Sequence, residues 1–511
     1  MRKKIIRNRK VRFGVITVVL TVLVITVTIL SNAVFSTLAT RYAWYSNLNG
    51  EQTYGVSEDC FAFLGKLFES HPDSDVEIIF CDLPDNLREE ITGRYVYDTA
   101  TAIAERYPDR VKITCHDIWT NPGSVRPYTE SYNPLTKETV TTLIKSSSVI
   151  VVAEGYHRVY TIEEFFIFED GDTSKVWAYN GEKKLAAGVM RALNPDAPIA
   201  CLTNNHGEIF YDYELLYLLD DAGYSLAYID LYNEQIPDNC ELIISYNPNT
   251  DLVADEVSEV SEVDILNEFL AEDGHSFFVL VENGTPKLPN YERFLAEWGV
   301  ALQYHTDFAT GKDYRYMVQD STQSLTSDGY TIYGEPVLRG QSAEMLDGLQ
   351  RRVIFKNATG MHAANGFVSN GDGSYTKGNR TMYGLYESGA SAISWANGAA
   401  VSDVPVLLMS LTEQTAGNAT SSVGVITSVK FSSEDFLQSA VYGNTDTLLR
   451  VFTLLGQKNV PERMTIQPFS SQDISIITTS QMLFWTVGLA VVPTLAVALI
   501  GVFVIVKRRY A

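Results

Sequence analysis

Apolar residues in this chain alternate between helical spacing and short continuous runs, and the alternation writes out strands and helices in turn. Ser57 suits a helix N-cap, with Glu58 and Asp59 in the first turn and Phe61, Leu64, Leu67 and Phe68 on one face. Residues 76–81 predict a buried strand, 87–107 a helix stopped near Pro108, and 111–118 the next strand. Strand, helix and strand in that order predict a parallel crossover in a layered α/β structure. Residues 148–153 and 156–160 flank Glu154-Gly155 and predict a hairpin, and 181–193 predict a helix ended by Asn194-Pro195.

The prolines at 195 and 198 mark a domain boundary. Beyond them, strands are predicted at 199–202, 225–231, 241–245 and 276–281, and helices at 211–222, 255–271 and 290–298. Gly223 closes the first of these helices. The pattern is that of a doubly wound domain. From 303 to 383 Gly, Ser, Thr, Asn and Tyr rise and the strands shorten, as at 330–333, which predicts a β-rich insert. Strands at 404–409 and 424–428 and a helix at 446–455 follow. The expected fold class is therefore α/β, with one domain over 39–195 and a second over 196–470 that carries the insert.

Two longer apolar runs change the picture. Residues 13–38 and 482–506 contain no charged side chain, and each exceeds the roughly 20 residues that cross a bilayer core. The first is longer than the apolar region of a cleavable signal peptide. The second holds Pro493, which a membrane helix tolerates. Arg2, Lys3, Lys4, Arg7, Arg9, Lys10 and Arg12 precede the first run, and Lys507, Arg508 and Arg509 follow the second. Basic flanks predict two transmembrane helices in a cell membrane, a basic tail (1–12) and a stub (507–511) in the cytoplasm, and an extracytoplasmic body.

Charge and cysteine usage narrow the function. The 511-residue chain has a net charge of −23, and since both tails are basic the acidic excess falls wholly on the body. Such a surface excludes a nucleic-acid partner and broad contact with anionic lipid. The five cysteines show no CxxC spacing and lie mostly in or beside apolar runs, as buried small hydrophobes do. No P-loop, GxSxG, HExxH or GxGxxG occurs, so neither ATP hydrolysis nor an ordinary hydrolase is indicated, and no cofactor is expected.

The loop Asn204-Asn205-His206-Gly207-Glu208 follows one predicted strand and precedes a helix, a position where open α/β sheets bind ligands. His206 and Glu208 could bind a metal or exchange a proton, and Gly207 would admit a ligand close to the backbone. The same residues also suit a plain helix-opening turn that satisfies backbone donors. A second loop after strand 241–245, carrying Asn247, could line the same edge.

In order along the chain, the N-terminal apolar run, Tyr54-Gly55-Val56-Ser57, Asp117 with Asn121-Pro122, Gly181-Glu182, Leu202-Thr203-Asn204-Asn205-His206-Gly207-Glu208, Gly443-Asn444-Thr445-Asp446 and the C-terminal run with Pro493 resemble the gliding-motility-type auxiliary component of bacterial ABC transporters, the Gld G-like proteins. Asn205 stands where that family usually has Gly. The resemblance implies a flavodoxin-like or amidotransferase-like second domain without an amidotransferase nucleophile, since Tyr246 and Asn247 occupy the elbow position. It also implies a non-enzymatic subunit working with a separate ATPase and a permease. The alternatives are a membrane-bound hydrolase using His206 and Glu208, and a structural cell-surface scaffold.

Overall fold

The computed structural model describes residues 55–133, 138–168, 175–254, 260–417, 419–464 and 466–469. Both predicted membrane spans lie outside these residues, and among the described residues no helix is long and apolar enough to cross a membrane. The fold is mixed α/β, built on two larger sheets with smaller ribbons beside them.

The first sheet contains β1 (Val76–Phe80), β2 (Val111–Cys115), β3 (Ser148–Ala153) and β4 (Tyr156–Thr161) in the order β2-β1-β3-β4. β1 and β2 are parallel, as a crossover requires, with Val76 opposite Val111. β3 and β4 form the expected hairpin. Helix α1 (Glu58–Ser70) is capped by Ser57, whose hydroxyl accepts from the Cys60 amide. The helix expected over 87–107 is interrupted. A short turn of helix, Pro84–Glu89, ends in extended backbone at Glu90, and α2 (Ile91–Arg106) starts afresh. Gly93 lets the two pieces cross closely, since a Cβ there would lie 2.7 Å from the Leu87 carbonyl oxygen. The strand expected to reach 118 stops at Cys115, because Asp117 caps the following turn through the Trp119 amide. Helix α3 (Gly181–Leu193) packs on β3 and β4 and is buried along almost its whole length.

The main sheet holds β5 (Ile199–Thr203), β6 (Ser225–Ile229), β7 (Cys240–Tyr246), β8 (Ser276–Leu280), β9 (Thr331–Pro336), β10 (Val353–Lys356), β11 (Arg380–Glu387), β12 (Leu407–Ala416) and β13 (Ala419–Ile426). Their order is β6-β5-β7-β8-β13-β12-β11-β9-β10. The first five are mutually parallel and the rest antiparallel. Helices cover both faces of the parallel half. Leu202, Ile244 and Leu280 join a core with Leu215 and Leu219 of α4 (Glu214–Asp221) and Phe452 of α7 (Asn444–Leu454). Their sequence neighbours Cys201, Ile243 and Val279 point the other way, to Leu266 of α5 (Glu262–Phe269) and Phe294 of α6 (Pro289–Glu297). β5, β7 and β8, buried on both faces, read as mostly apolar runs, which makes them visible in the sequence.

Several boundaries move. α4 begins at Glu214 rather than 211, and of the helix expected over 255–271 the described part is Glu262–Phe269. The strands expected at 404–409 and 424–428 are the ends of one long hairpin, β12 and β13. Its middle is rich in hydroxyls and reads as polar, yet Ser410, Thr412, Ser421 and Ser422 are buried. Thr412 meets that burial by donating to the Trp298 carbonyl at 2.6 Å. The β-rich segment contributes β9, β10 and β11 to the main sheet itself. All five cysteines are free thiols, Cys60, Cys81, Cys201 and Cys240 buried and Cys115 partly so.

Candidate functional site

β5 and β7 are sheet neighbours, but the helices that follow them pack on opposite faces. The connections therefore part at the carboxyl ends of these two strands, where doubly wound sheets form a crevice. The loop carrying Asn204, Asn205, His206, Gly207 and Glu208 and the loop carrying Asn247 meet there. The His206 carbonyl accepts from the amides of Asn249 and Thr250, both at 2.8 Å, and Asn249 Nδ2 donates to the Gly207 carbonyl at 3.1 Å. Asn204, Asn205 and Gly207 are exposed and border a shallow crevice of about 490 Å³ with Phe210 and Tyr228.

The loop geometry explains its residue types. Asn205 has φ 76° and Gly207 φ 74°, both left-handed. Asparagine is among the few residues with a side chain that visit this region readily, so Asn205 can hold this conformation. At Gly207 a Cβ would also come within 3.2 Å of the Asn249 Cβ.

His206 points inward instead of lining the crevice, with 4 % of its surface exposed. Its Nε2 lies 3.0 Å from Glu262 Oε2 and its Nδ1 lies 3.4 Å from Glu208 Oε1. Glu208 also accepts from the Thr203 hydroxyl at 2.7 Å and from the His206 amide at 2.7 Å. Glu262 accepts from the Val253 amide at 2.7 Å. Burial by itself would depress the His206 pKa, but the hydrogen bonds to Glu208 and Glu262 and their charges outweigh it and push the pKa up to about 10. Glu208 is held below its ordinary value, burial being overcome by its bonds to His206 and Thr203. At neutral pH the ring is an imidazolium whose two N–H groups serve two carboxylates. It has no lone pair with which to take a proton or bind a metal. Among the described residues no cluster of three or more His, Cys, Asp or Glu side chains is arranged to hold a metal.

Asn247 sits just past β7 with φ 52°, the strained turn in which related layouts present a nucleophile. Here the side chain is an amide, and its Oδ1 accepts from the Thr285 hydroxyl at 2.9 Å, while its backbone N–H donates to the Leu280 carbonyl at 2.8 Å. Asn247 thus faces the loop after β8 and not the 203–208 loop. Cys201 lies within β5 and Cys240 opens β7, both buried away from the edge.

Sequence reasoning missed Glu262, the second partner of His206. It is 56 positions away and reads as a plain first-turn acid after the N-cap Ser261. Also missed was a cluster beside the crevice. The Tyr211 hydroxyl donates to Glu282 at 2.7 Å, and Lys430 Nζ stands 3.3 Å above the Tyr211 ring.

No protein-family model and no curated protein matches the chain. Solved structures give distant likenesses. One is to a structure titled "mmIFT52 N-terminal domain", with a TM-score of 0.36 and 12 % identity over 50 % of this chain and 97 % of that one. Another is to PurLQS from Thermotoga maritima, with a TM-score of 0.27 and 13 % identity over 51 % of this chain and 99 % of that one. A third is to the exo-β-1,4-mannosidase Op5Man5 from Opitutaceae bacterium strain TAV5, with a TM-score of 0.21 and 11 % identity over 66 % and 44 %.

Proposed function

We propose that this protein is a membrane-anchored, non-catalytic auxiliary subunit of an ABC transport system, tethered by residues 13–38 and 482–506, whose extracytoplasmic body binds a ligand or partner. The observation that carries the reading is where the two ends of the body meet. Glu182 Oε2 accepts from the Ser57 hydroxyl at 2.6 Å, and its Oε1 accepts from Gln467 Nε2 at 3.0 Å. Gln467–Pro468 also adds a short strand beside Val176–Tyr179. One buried carboxylate thus holds the points at which the chain enters and leaves the body. Two anchors leaving from one place suit a pair of helices that pack together against a permease.

The parallel strands, numbered by their own order, run 2-1-3-4-5, the flavodoxin-like arrangement. Fold likeness does not carry activity. What supports a non-catalytic role is that the switch-point edge offers an amide at the elbow and an imidazolium already shared between two carboxylates. The hydrolase alternative would need His206 as a base, and its raised pKa withholds the lone pair.

The test is affinity purification of the full chain from membranes under mild detergent. Recovery of an ABC permease with its ATPase is expected. Repeated recovery of the chain without either would defeat the proposal, as would a turnover that disappears when His206 and Glu208 are both changed to Ala.

A further inference from the structure

Lys183, in the first turn of α3, has 2 % of its surface exposed, and its Nζ has no hydrogen-bond partner among the described residues. A buried ammonium normally finds an acid, but two of the acids nearby, Asp220 and Asp221, are paired elsewhere. Asp221 holds Lys184 at 2.9 Å and 2.8 Å through its two oxygens. Asp220 is paired with Arg158 and lies 3.6 Å from Arg191. Burial lowers the Lys183 pKa against the pull of Asp446 and Asp221. Three positions earlier, Asn180 occupies the N-cap of α3 without making a side-chain cap bond, and its Oδ1 is buried and unpartnered among the described residues. Positions i and i+3 share a helix face. Both residues line one cavity of about 500 Å³, bordered also by Phe166, Tyr217, Glu214 and Gln438.

An unpartnered donor and an unpartnered acceptor are each costly when buried, unless something fills the space between them. The requirements are specific. Lys183 and the amino end of α3 call for a negatively charged acceptor, and Asn180 Oδ1 calls for an N–H donor. Asp221 and Glu214 on the same wall disfavour a multiply charged anion such as phosphate. The volume lies within the range of small-molecule sites.

We propose that this cavity binds a small zwitterion of the amino-acid class, with its carboxylate on the Lys183 ammonium and its ammonium on Asn180 Oδ1. The site lies apart from the 203–208 crevice and does not depend on the transport reading. Calorimetric titration of the purified full chain in detergent with glycine, L-alanine and L-glutamine, and with acetate, methylamine and inorganic phosphate as partial mimics, tests it. At least one amino acid should bind saturably at millimolar concentration or below, about tenfold or more tighter than acetate or methylamine alone. Lys183→Met should abolish that binding while the protein stays folded, because Met fills a similar volume without a buried charge. Absence of binding by every amino acid overturns the proposal, and so does a preference for phosphate, acetate binding as tight as the best amino acid, or binding that survives in K183M. The comparison of probes on the unaltered chain needs no variant, so it decides the matter even if K183M fails to fold.

Discussion

The buried His206 network shows how one side chain ties loop chemistry to stability. An unfolded histidine titrates near 6.5, whereas the folded ring titrates at about 10. A pKa raised by folding stabilises fully below the unfolded value and is lost as pH climbs through the folded one. Stability measured by denaturant unfolding should therefore fall between about pH 6.5 and pH 10, and His206→Gln should flatten that slope. At pH 7, His206→Ala leaves Glu208 and Glu262 facing each other without their cation. A loss of ~3–5 kcal/mol is expected, as for a broken buried pair. A change within measurement error would mean the ring is neutral and the network misassigned. The sequence displayed His206 and Glu208 as neighbours in a loop but not their direction, which depends on the distant Glu262. Lys183 is legible in the sequence as an anomaly. It falls on the same stripe as Ala186, Ala187 and Met190, where a lysine is out of place on the buried face of a helix.

At the scale of elements, β5, β7 and β8 were readable because each is a mostly apolar run and the helices between them keep an apolar stripe. The antiparallel half was not, because its hydroxyl-rich strands bury polar groups that only their partners satisfy. Asn444 is the clearest case. As the first residue of α7 it reads as a plain helix start, yet it is fully buried and crosses to two other elements. Its Oδ1 accepts from the Ile354 amide at 3.0 Å, and its Nδ2 donates to the carbonyls of Ile354 at 2.9 Å and Phe431 at 3.0 Å. These bonds pin α7 to β10 at the far edge of the main sheet. Gly443 before it makes the approach possible, since a Cβ there would meet the Arg351 carbonyl oxygen at 2.8 Å. Asn444→Ala should strand buried backbone groups that cost about 1–3 kcal/mol apiece. Hydrogen exchange should then rise first at Val353–Lys356 and α7, ahead of the parallel strands. Uniform protection in the variant would show that side-chain packing, not this amide, holds the edge.

Across the whole molecule, the first and last described segments meet at Glu182, through Ser57 and Gln467. It has 6 % of its surface exposed, and burial raises its pKa against the hydrogen bonds from Ser57 and Gln467. Around it Phe469 stacks on Phe166 at 6.2 Å and meets Tyr95 edge-on at 5.1 Å, while the Phe469 amide donates to the Trp177 carbonyl at 3.0 Å. The clamp joins the residue before α1, the start of α3 and the segment Ile466–Phe469, and so ties both to the helix that carries Lys183. Glu182→Ala removes two hydrogen bonds to one carboxylate, and a loss of about 2–3 kcal/mol is expected. The sharper readout is geometric. Spin labels placed at positions 56 and 469 of the full chain should give one narrow distance distribution in the unaltered protein and a broad one in E182A. If the proposed transport role is right, the same variant should reach the membrane normally but recover less permease on purification. A narrow distribution in E182A would show that the aromatic contacts of Phe469 hold the two ends together without the carboxylate. Normal permease recovery alongside a broadened distribution would show that the partner grips each anchor independently.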